Sequence, residues 1–220
     1  MATTRQLVTT QQRDNACAVV TLNRPEKLNA MNAVLLEQLL AALDTLRGEA
    51  RVVVLTGAGN RAFTVGNDLT EATAAPVRHY AGRYGGPLYR VLEEIRGHSA
   101  VFVAAVDGYA LGGGVGLVAS CDLAIASRRA QFGIPQVGFG AFPGAGAPTV
   151  KNVLPKHAAY AVLTAGRFDA LTARRWGLIN EVVEPGRTHD RALQLADLLA
   201  ARDSGVLADA KRALCASNTF

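Results

Sequence analysis

The 220-residue chain is poor in aromatic side chains (6%) and holds three cysteines, two methionines and one tryptophan. Cys17, Cys121 and Cys215 stand far apart, with no Cys-x-x-Cys pair and no histidine at ligand spacing, which argues against a disulfide framework or a zinc site. Each reads as a small buried hydrophobe. No block of five or six basic residues occurs, and a formal net charge of +5 is modest for this length. Nucleic acid is therefore not an expected partner, although the sequence pI of about 9.4 suits an anionic one. The most apolar run, Val101 to Ala119, is broken by Asp107, Gly108, Gly112, Gly113, Gly114 and Gly116, which speaks against a transmembrane helix. The polar opening MATTRQLVTTQQRDN has no apolar signal core, so a cytoplasmic location is expected. A GxxxxGK[ST] loop, a GxGxxG turn and a G-x-S-x-G elbow are all missing, which removes the common nucleotide-binding and serine-hydrolase readings.

What is there is an ordinary globular composition, 50% hydrophobic and 19% charged, of a length for one domain that buries about 70% of its unfolded surface. Ala16–Leu22, Arg51–Thr56, Val101–Val106 and Leu123–Ala126 are short apolar runs rich in β-branched residues and bounded by turn residues, the signature of buried strands. Ala62–Thr64 reads as a continuation of the second run after a turn at Gly57-Ala58-Gly59-Asn60. From Met31, apolar residues recur at Val34, Leu35, Leu39, Leu43 and Leu46, one face of a helix that Gly48 would cap, packed on a sheet. A second helix is expected to start at Gly112-Gly113-Gly114 and run through Ser120. Pro135–Pro148 reads as a glycine-rich loop, and Lys156 to about Leu214 as mostly helical, with a broad apolar face on Ala192, Leu193, Leu195, Ala196, Leu198 and Leu199. Strands alternating with helices make an α/β domain.

Two glycine-bearing turns follow buried strands: Phe63-Thr64-Val65-Gly66-Asn67-Asp68-Leu69 and Gly108-Tyr109-Ala110-Leu111-Gly112-Gly113-Gly114. Glycine lets backbone approach a ligand closely, and a helix opening at the second turn would aim free N–H groups and its positive end at one point, suited to a phosphate or an oxyanion. Ala72–Leu92 carries Arg78, His79, Arg83 and Arg90 with Tyr80, Tyr84 and Tyr89 and no acid. That segment is either a place to draw in a phosphate-bearing ligand or a basic surface loop.

These segments, in order, resemble the crotonase superfamily, the enoyl-CoA hydratases and isomerases. The likeness runs through Leu22-Asn23-Arg24-Pro25-Glu26-Lys27-Leu28-Asn29-Ala30-Met31-Asn32, Gly57-Ala58-Gly59, Ala62-Phe63 to Leu69, and Gly108 to Gly114. It continues with Cys121 to Ala126, Gln131-Phe132-Gly133-Ile134-Pro135, Pro143-Gly144-Ala145-Gly146 and Ala173 to Ile179. It implies an α/β fold, a spiral of repeated ββα units, with a core over 1–185 and a shortened helical region over 186–220. It also implies an acyl-CoA thioester ligand, with coenzyme A entering as part of the substrate and no permanently bound cofactor, and a homotrimer or dimer of trimers. By position, the oxyanion hole falls to the N–H groups of Asn67 and Gly113. Val65 and Asn67 would bracket the adenine, and Arg24, Lys27 and Leu28 would lie along the nucleotide end. Gly66, Asp68, Leu69, Leu111, Gly112 and Pro135 complete the implied substrate-binding positions.

The chain departs from that pattern at two points. Hydratases of the family carry one glutamate on the helix after the triple glycine and another after the proline of Phe-Gly-x-Pro; here Gly116 and Gln136 stand there, and neither titrates as a base. Val137–Pro148 supplies no acid, leaving Gln136, His79, Tyr80, Tyr84 and Tyr89 as candidate polar groups. Asp68 and Asp122 match structural positions, and an Asp beside a turn usually caps backbone. The chain also stops six residues after Leu214, so a short lid is expected. These departures favour decarboxylation, or C–C or thioester cleavage, over standard hydration. The alternatives are a silent member that binds acyl-CoA, a partner or RNA, and a hydratase with residual activity.

Overall fold

The computed structural model describes residues 5–72, 86–141, 143–144, 149–150 and 155–216. Two sheets organise it. The larger has six strands in the order β1 (Val8–Arg13), β2 (Cys17–Leu22), β3 (Val52–Gly57), β5 (Val101–Val106), β7 (Leu123–Ser127) and β10 (Glu181–Val183), all parallel except the β1/β2 hairpin. The smaller has four: β4 (Ala62–Thr64), β6 (Tyr109–Leu111), β8 (Gln131–Gly133) and β9 (Arg167–Asp169), with β9 antiparallel to β8. Successive stretches of chain lay one strand in each sheet and then turn into a helix, which is the ββα spiral the sequence resemblance implies.

Parallel strands covered on both faces must be apolar throughout. Alternate residues of the large sheet enter two separate cores: Val53, Leu55, Phe102, Ala104 and Val106 in one, Val52, Val54, Val103 and Ala105 in the other. The first core is closed by α1 (Ala33–Thr45), α3 (Pro87–Gly97) and α4 (Gly113–Ser120). The short helix α2 (Leu69–Ala72) precedes α3; α5 (Pro155–Thr164), α6 (Ala170–Trp176), α7 (Thr188–Ala200) and α8 (Ser204–Ala216) follow. Asn32 caps α1 by accepting from Leu35 N–H at 3.0 Å.

The expected strands and the first two helices are present, with the following corrections. Ala62–Thr64 does not continue β3 but starts the second sheet, because the turn after Gly57 redirects the chain. The polar N-terminal segment forms β1, an edge strand that needs no apolar alternation. Val34 is 39% exposed, off the buried stripe of Leu35, Leu36, Leu39 and Leu43. Leu46 is the C-cap of α1, and Gly48, at φ +84°, turns the chain two residues later. On α7 the buried stripe is Ala192, Ala196 and Ala200, whose small side chains let the helix lie close on the large sheet, while Leu198 is 54% exposed. Pro135–Phe139 winds into a 3-10 turn, and two short strands, β9 and β10, interrupt the helical region. No helix among the described residues is long and apolar enough to cross a membrane.

Gly108 sits at the corner between sheets with φ +72°, and a Cβ there would lie 2.0 Å from Arg61 O, so the corner admits no side chain.

One buried lysine, paired with a carboxylate that reaches the surface, ties the C-terminal helix to this frame. Lys211 on α8, 4% exposed, donates from Nζ to Ile95 O and Ala100 O, each at 2.8 Å, and lies 3.0 Å from Asp122 Oδ2. The ammonium also sits over the Phe102 ring at 4.9 Å, and Asp122 accepts from Phe102 N–H at 2.8 Å. Burial pushes the Asp122 carboxyl upward, opposed by the Lys211 charge. Every partner is met, so the pair is costly to break from one side. Lys211→Met should destabilise the fold by about 1–3 kcal/mol in denaturant unfolding, since it leaves the Ile95 and Ala100 carbonyls without their donor. A loss below about 1 kcal/mol would show that the pair does not hold α8.

Candidate active site

The site is built from three pieces of backbone, and a buried amide holds two of them together. Asn29, fully buried at φ +56°, donates from Nδ2 to Ala58 O at 3.0 Å and Ala62 O at 2.9 Å, and accepts Arg24 N–H at 2.9 Å. Its own carbonyl accepts from Thr64 Oγ1 at 2.6 Å, and that hydroxyl accepts Gly66 N–H at 3.1 Å. The Asn-Ala-Met segment is thereby stitched to the loop after β4.

Met31 then pairs with Asn67 as an isolated parallel bridge: Met31 N–H donates to Gly66 O at 2.8 Å, and Asp68 N–H to Met31 O at 2.9 Å. The bridge uses the groups on either side of Asn67, so the N–H of Asn67 itself is left on the opposite edge. On that edge runs the Leu111–Gly113 turn. Gly66, at φ +90°, has a Cβ position 2.7 Å from Leu111 O and 3.1 Å from Gly113 N, a contact only glycine permits.

Gly112 accepts the first bonds of α4 from Val115 and Gly116, and its own N–H donates to Gly133 O at 2.8 Å. Gly113, the first residue of α4, carries one of the helix's unsatisfied donors. Neither its N–H nor that of Asn67 has an acceptor among the described residues. Around Gly113, Leu88 Cδ2, Met31 Cε and Asn67 Oδ1 stand 2.5, 2.9 and 3.3 Å from where a Cβ would be, so two apolar side chains and one amide oxygen flank this residue.

Gln136, in the 3-10 turn, lies over the same spot. Its Nε2 is 2.6 Å from the Cβ position of Gly112, and its Oε1 is buried without a donor. Gly116, one turn into α4, is buried and brings no functional group. Leu111 is buried at the turn, Pro135 is half-buried beside Gln136, and Tyr89 is half-buried on the first turn of α3 next to Leu88. His79, Tyr80 and Tyr84 lie outside the described residues.

The implied nucleotide-end residues divide. Arg24 is engaged: its Nη1 donates to Asp68 Oδ2 at 2.5 Å and to Ala30 O at 3.0 Å. It acts as a clamp between the two loops, a role its place in a turn did not disclose. Lys27 is exposed on the Pro25–Lys27 turn, Leu28 at φ +53° accepts Val65 N–H at 3.2 Å, Val65 is half-buried and Leu69 is 60% exposed. Sequence reasoning missed the parts of Asn29, Thr64 and Met31; the left-handed Asn after a proline turn was the one available signal.

With this geometry in view, comparison with known proteins is decisive. The family described as enoyl-CoA hydratase/isomerase matches residues 12–219. The chain belongs to that family, within the crotonase superfamily. It is 36% identical over 193 residues, 84% of this chain and 72% of the relative, to the short-chain-enoyl-CoA hydratase of Clostridium acetobutylicum. It is 33% identical over 211 residues, 94% of this chain and 80% of the relative, to the 2,3-dehydroadipyl-CoA hydratase of Escherichia coli. Among solved structures, the enoyl-CoA hydratase of Mycobacterium smegmatis aligns with a TM-score of 0.89 at 30% identity, covering 97% of this chain and 84% of that one.

Asp68 is the carboxylate closest in sequence to the donor pair, and it is not free. Thr70 donates to Oδ1 from its N–H at 3.0 Å and its hydroxyl at 2.7 Å; with Arg24 on Oδ2, these bonds hold the carboxyl down to about 2. A group so depressed cannot serve as a base near neutral pH. Its contribution to stability is complete above the ordinary carboxylate value, about 4, and is lost as pH falls through about 2. A carboxyl-carbon NMR titration should therefore place the Asp68 midpoint near pH 2 and move it upward in Arg24→Met. A wild-type midpoint near 4 would contradict the clamp.

Proposed function

We propose that this chain is an acyl-CoA-processing enzyme that polarises a thioester carbonyl through the N–H groups of Asn67 and Gly113, and whose chemistry needs no carboxylate base. One observation carries the reading. The N–H groups of Asn67 and Gly113 have no acceptor among the described residues and lie on the two turns that meet at the start of α4, while Gly116 and Gln136 stand where, by the resemblance, hydratases of the family hold glutamates. Donors of this kind stabilise the charge that develops on a thioester oxygen, and as backbone they are indifferent to side-chain change.

Decarboxylation is the reaction that asks least of such a site. The bond between C2 and the departing carboxylate carbon breaks, its electron pair passes to the thioester oxygen as an enolate, carbon dioxide leaves, and C2 takes a proton from water. C–C or thioester cleavage with an enolate leaving group would use the same donors. Coenzyme A arrives with the substrate, and no resident cofactor is invoked. Lys27, exposed beside the loop, is the side chain we assign to the nucleotide end. The working particle in this reading is a cytoplasmic trimer or dimer of trimers.

Proline is tolerated at the first position of a helix, so Gly113→Pro deletes one donor while α4 persists. Gly113→Ala keeps the donor and imposes the same crowding on Leu88 and Met31, and so serves as the control. Turnover of malonyl-CoA by the proline variant should fall about 100- to 1,000-fold below that of the alanine variant, the usual cost of one oxyanion donor. Equal rates would refute the proposal.

A further inference from the structure

Gln136 is more than a lost glutamate. Its side chain lies across Gly112 with Nε2 nearest, 2.6 Å from the Cβ position there, Cδ at 3.4 Å and Oε1 at 3.6 Å. Oε1 is the buried atom and has no donor, so Nε2 is the end of the carboxamide left to meet a ligand. The carboxamide thus turns its donor toward the turn that carries the Gly113 N–H. By addition of bond lengths, Nε2 lies less than about 7 Å from that nitrogen. A second oxygen on the third carbon of an acyl chain falls within such a span when the thioester oxygen occupies the first donors.

We infer that Gln136 Nε2 is a third donor of this site, reserved for a carboxylate at C3 of the acyl group, so that the substrate class is a malonyl-type acyl-CoA. The inference rests on the acyl-CoA reading above and deepens it. Three donors, Asn67 N–H, Gly113 N–H and Gln136 Nε2, lie about the turn at the positive end of α4, and Asp68, the carboxylate next to Asn67, is held by Arg24 and Thr70. A glutamate at 136 would set a negative charge against an anionic acyl group; the amide keeps the shape, removes the charge and adds a donor. A neutral acyl chain finds no use for that donor, and a charged carboxylate forms a stronger bond than a neutral acceptor.

The test is equilibrium binding of malonyl-CoA and butyryl-CoA to the full chain, with carbon dioxide release followed in parallel, for wild type, Gln136→Met and Gln136→Glu. Wild type should bind malonyl-CoA at least about tenfold tighter than butyryl-CoA, the range of a charge-assisted hydrogen bond. Gln136→Met should bind the two alike, and Gln136→Glu should reverse the order. Gln136→Glu alone decides the matter if the methionine variant does not fold. If wild type shows no preference, or the glutamate variant keeps it while both ligands bind, the role of Gln136 is overturned and the acyl-CoA reading stands. If neither thioester binds wild type, both are overturned.

Discussion

Everything at the proposed site depends on keeping two backbone N–H groups without partners. A backbone donor without a protein acceptor is the exception in a folded chain. This chain keeps the pair open by using up the neighbouring groups. Met31 takes Gly66 O and Asp68 N–H, Thr64 takes Gly66 N–H, and Gly133 O takes Gly112 N–H, so the hydrogen bonds on both sides are spent and Asn67 and Gly113 remain. A ligand oxygen is then the missing acceptor, met without rearrangement of the protein.

The frame that enforces this is stiff for reasons set in the packing. Leu28, Asn29, Gly66 and Gly112 all sit at positive φ within the three pieces that meet at the site. For Leu28 such a conformation is strained, and it persists because Arg24, Asn29 and Thr64 over-determine the loop with side-chain hydrogen bonds. The strain is carried by two apolar cores on either face of a parallel sheet and by the Lys211–Asp122 lock, which fixes α8 to the end of α3 and the residue after α4's C-cap. Stability and site geometry therefore draw on the same contacts.

How much of this was legible depends on which physical signal each part leaves in a one-dimensional pattern. The buried strands at Val52–Gly57 and Val101–Val106, and the helix carrying Leu35, Leu39 and Leu43, announce themselves by apolar runs and by period. Strand β1 did not, because an edge strand open to solvent has no apolar alternation to show. The division into two sheets was also hidden from periodicity: strands of three residues are shorter than any repeat, and only the family resemblance implied the ββα spiral. At the site, Gly66 and Gly112 could be seen as places of close backbone approach, and the absence of a titrating side chain at Gly116 and Gln136 could be set against the family pattern only through the resemblance. The clamp of Arg24 on Asp68 and the stitching by Asn29 could not, since an arginine in a turn looks alike whether it meets solvent or a carboxylate 44 residues on.

Family membership sets the expectation of hydration, while the residues at the site argue for chemistry that a pair of backbone donors can support alone. The two are separated most directly by mass-spectrometric turnover of the purified protein on a thioester panel containing crotonyl-CoA, a 3-enoyl-CoA, methylmalonyl-CoA and a β-diketo acyl-CoA. The account predicts loss of carbon dioxide or acyl cleavage with no addition of water to crotonyl-CoA. Efficient hydration of crotonyl-CoA would contradict it, because it would require a proton-transfer group that neither Gly116 nor Gln136 provides.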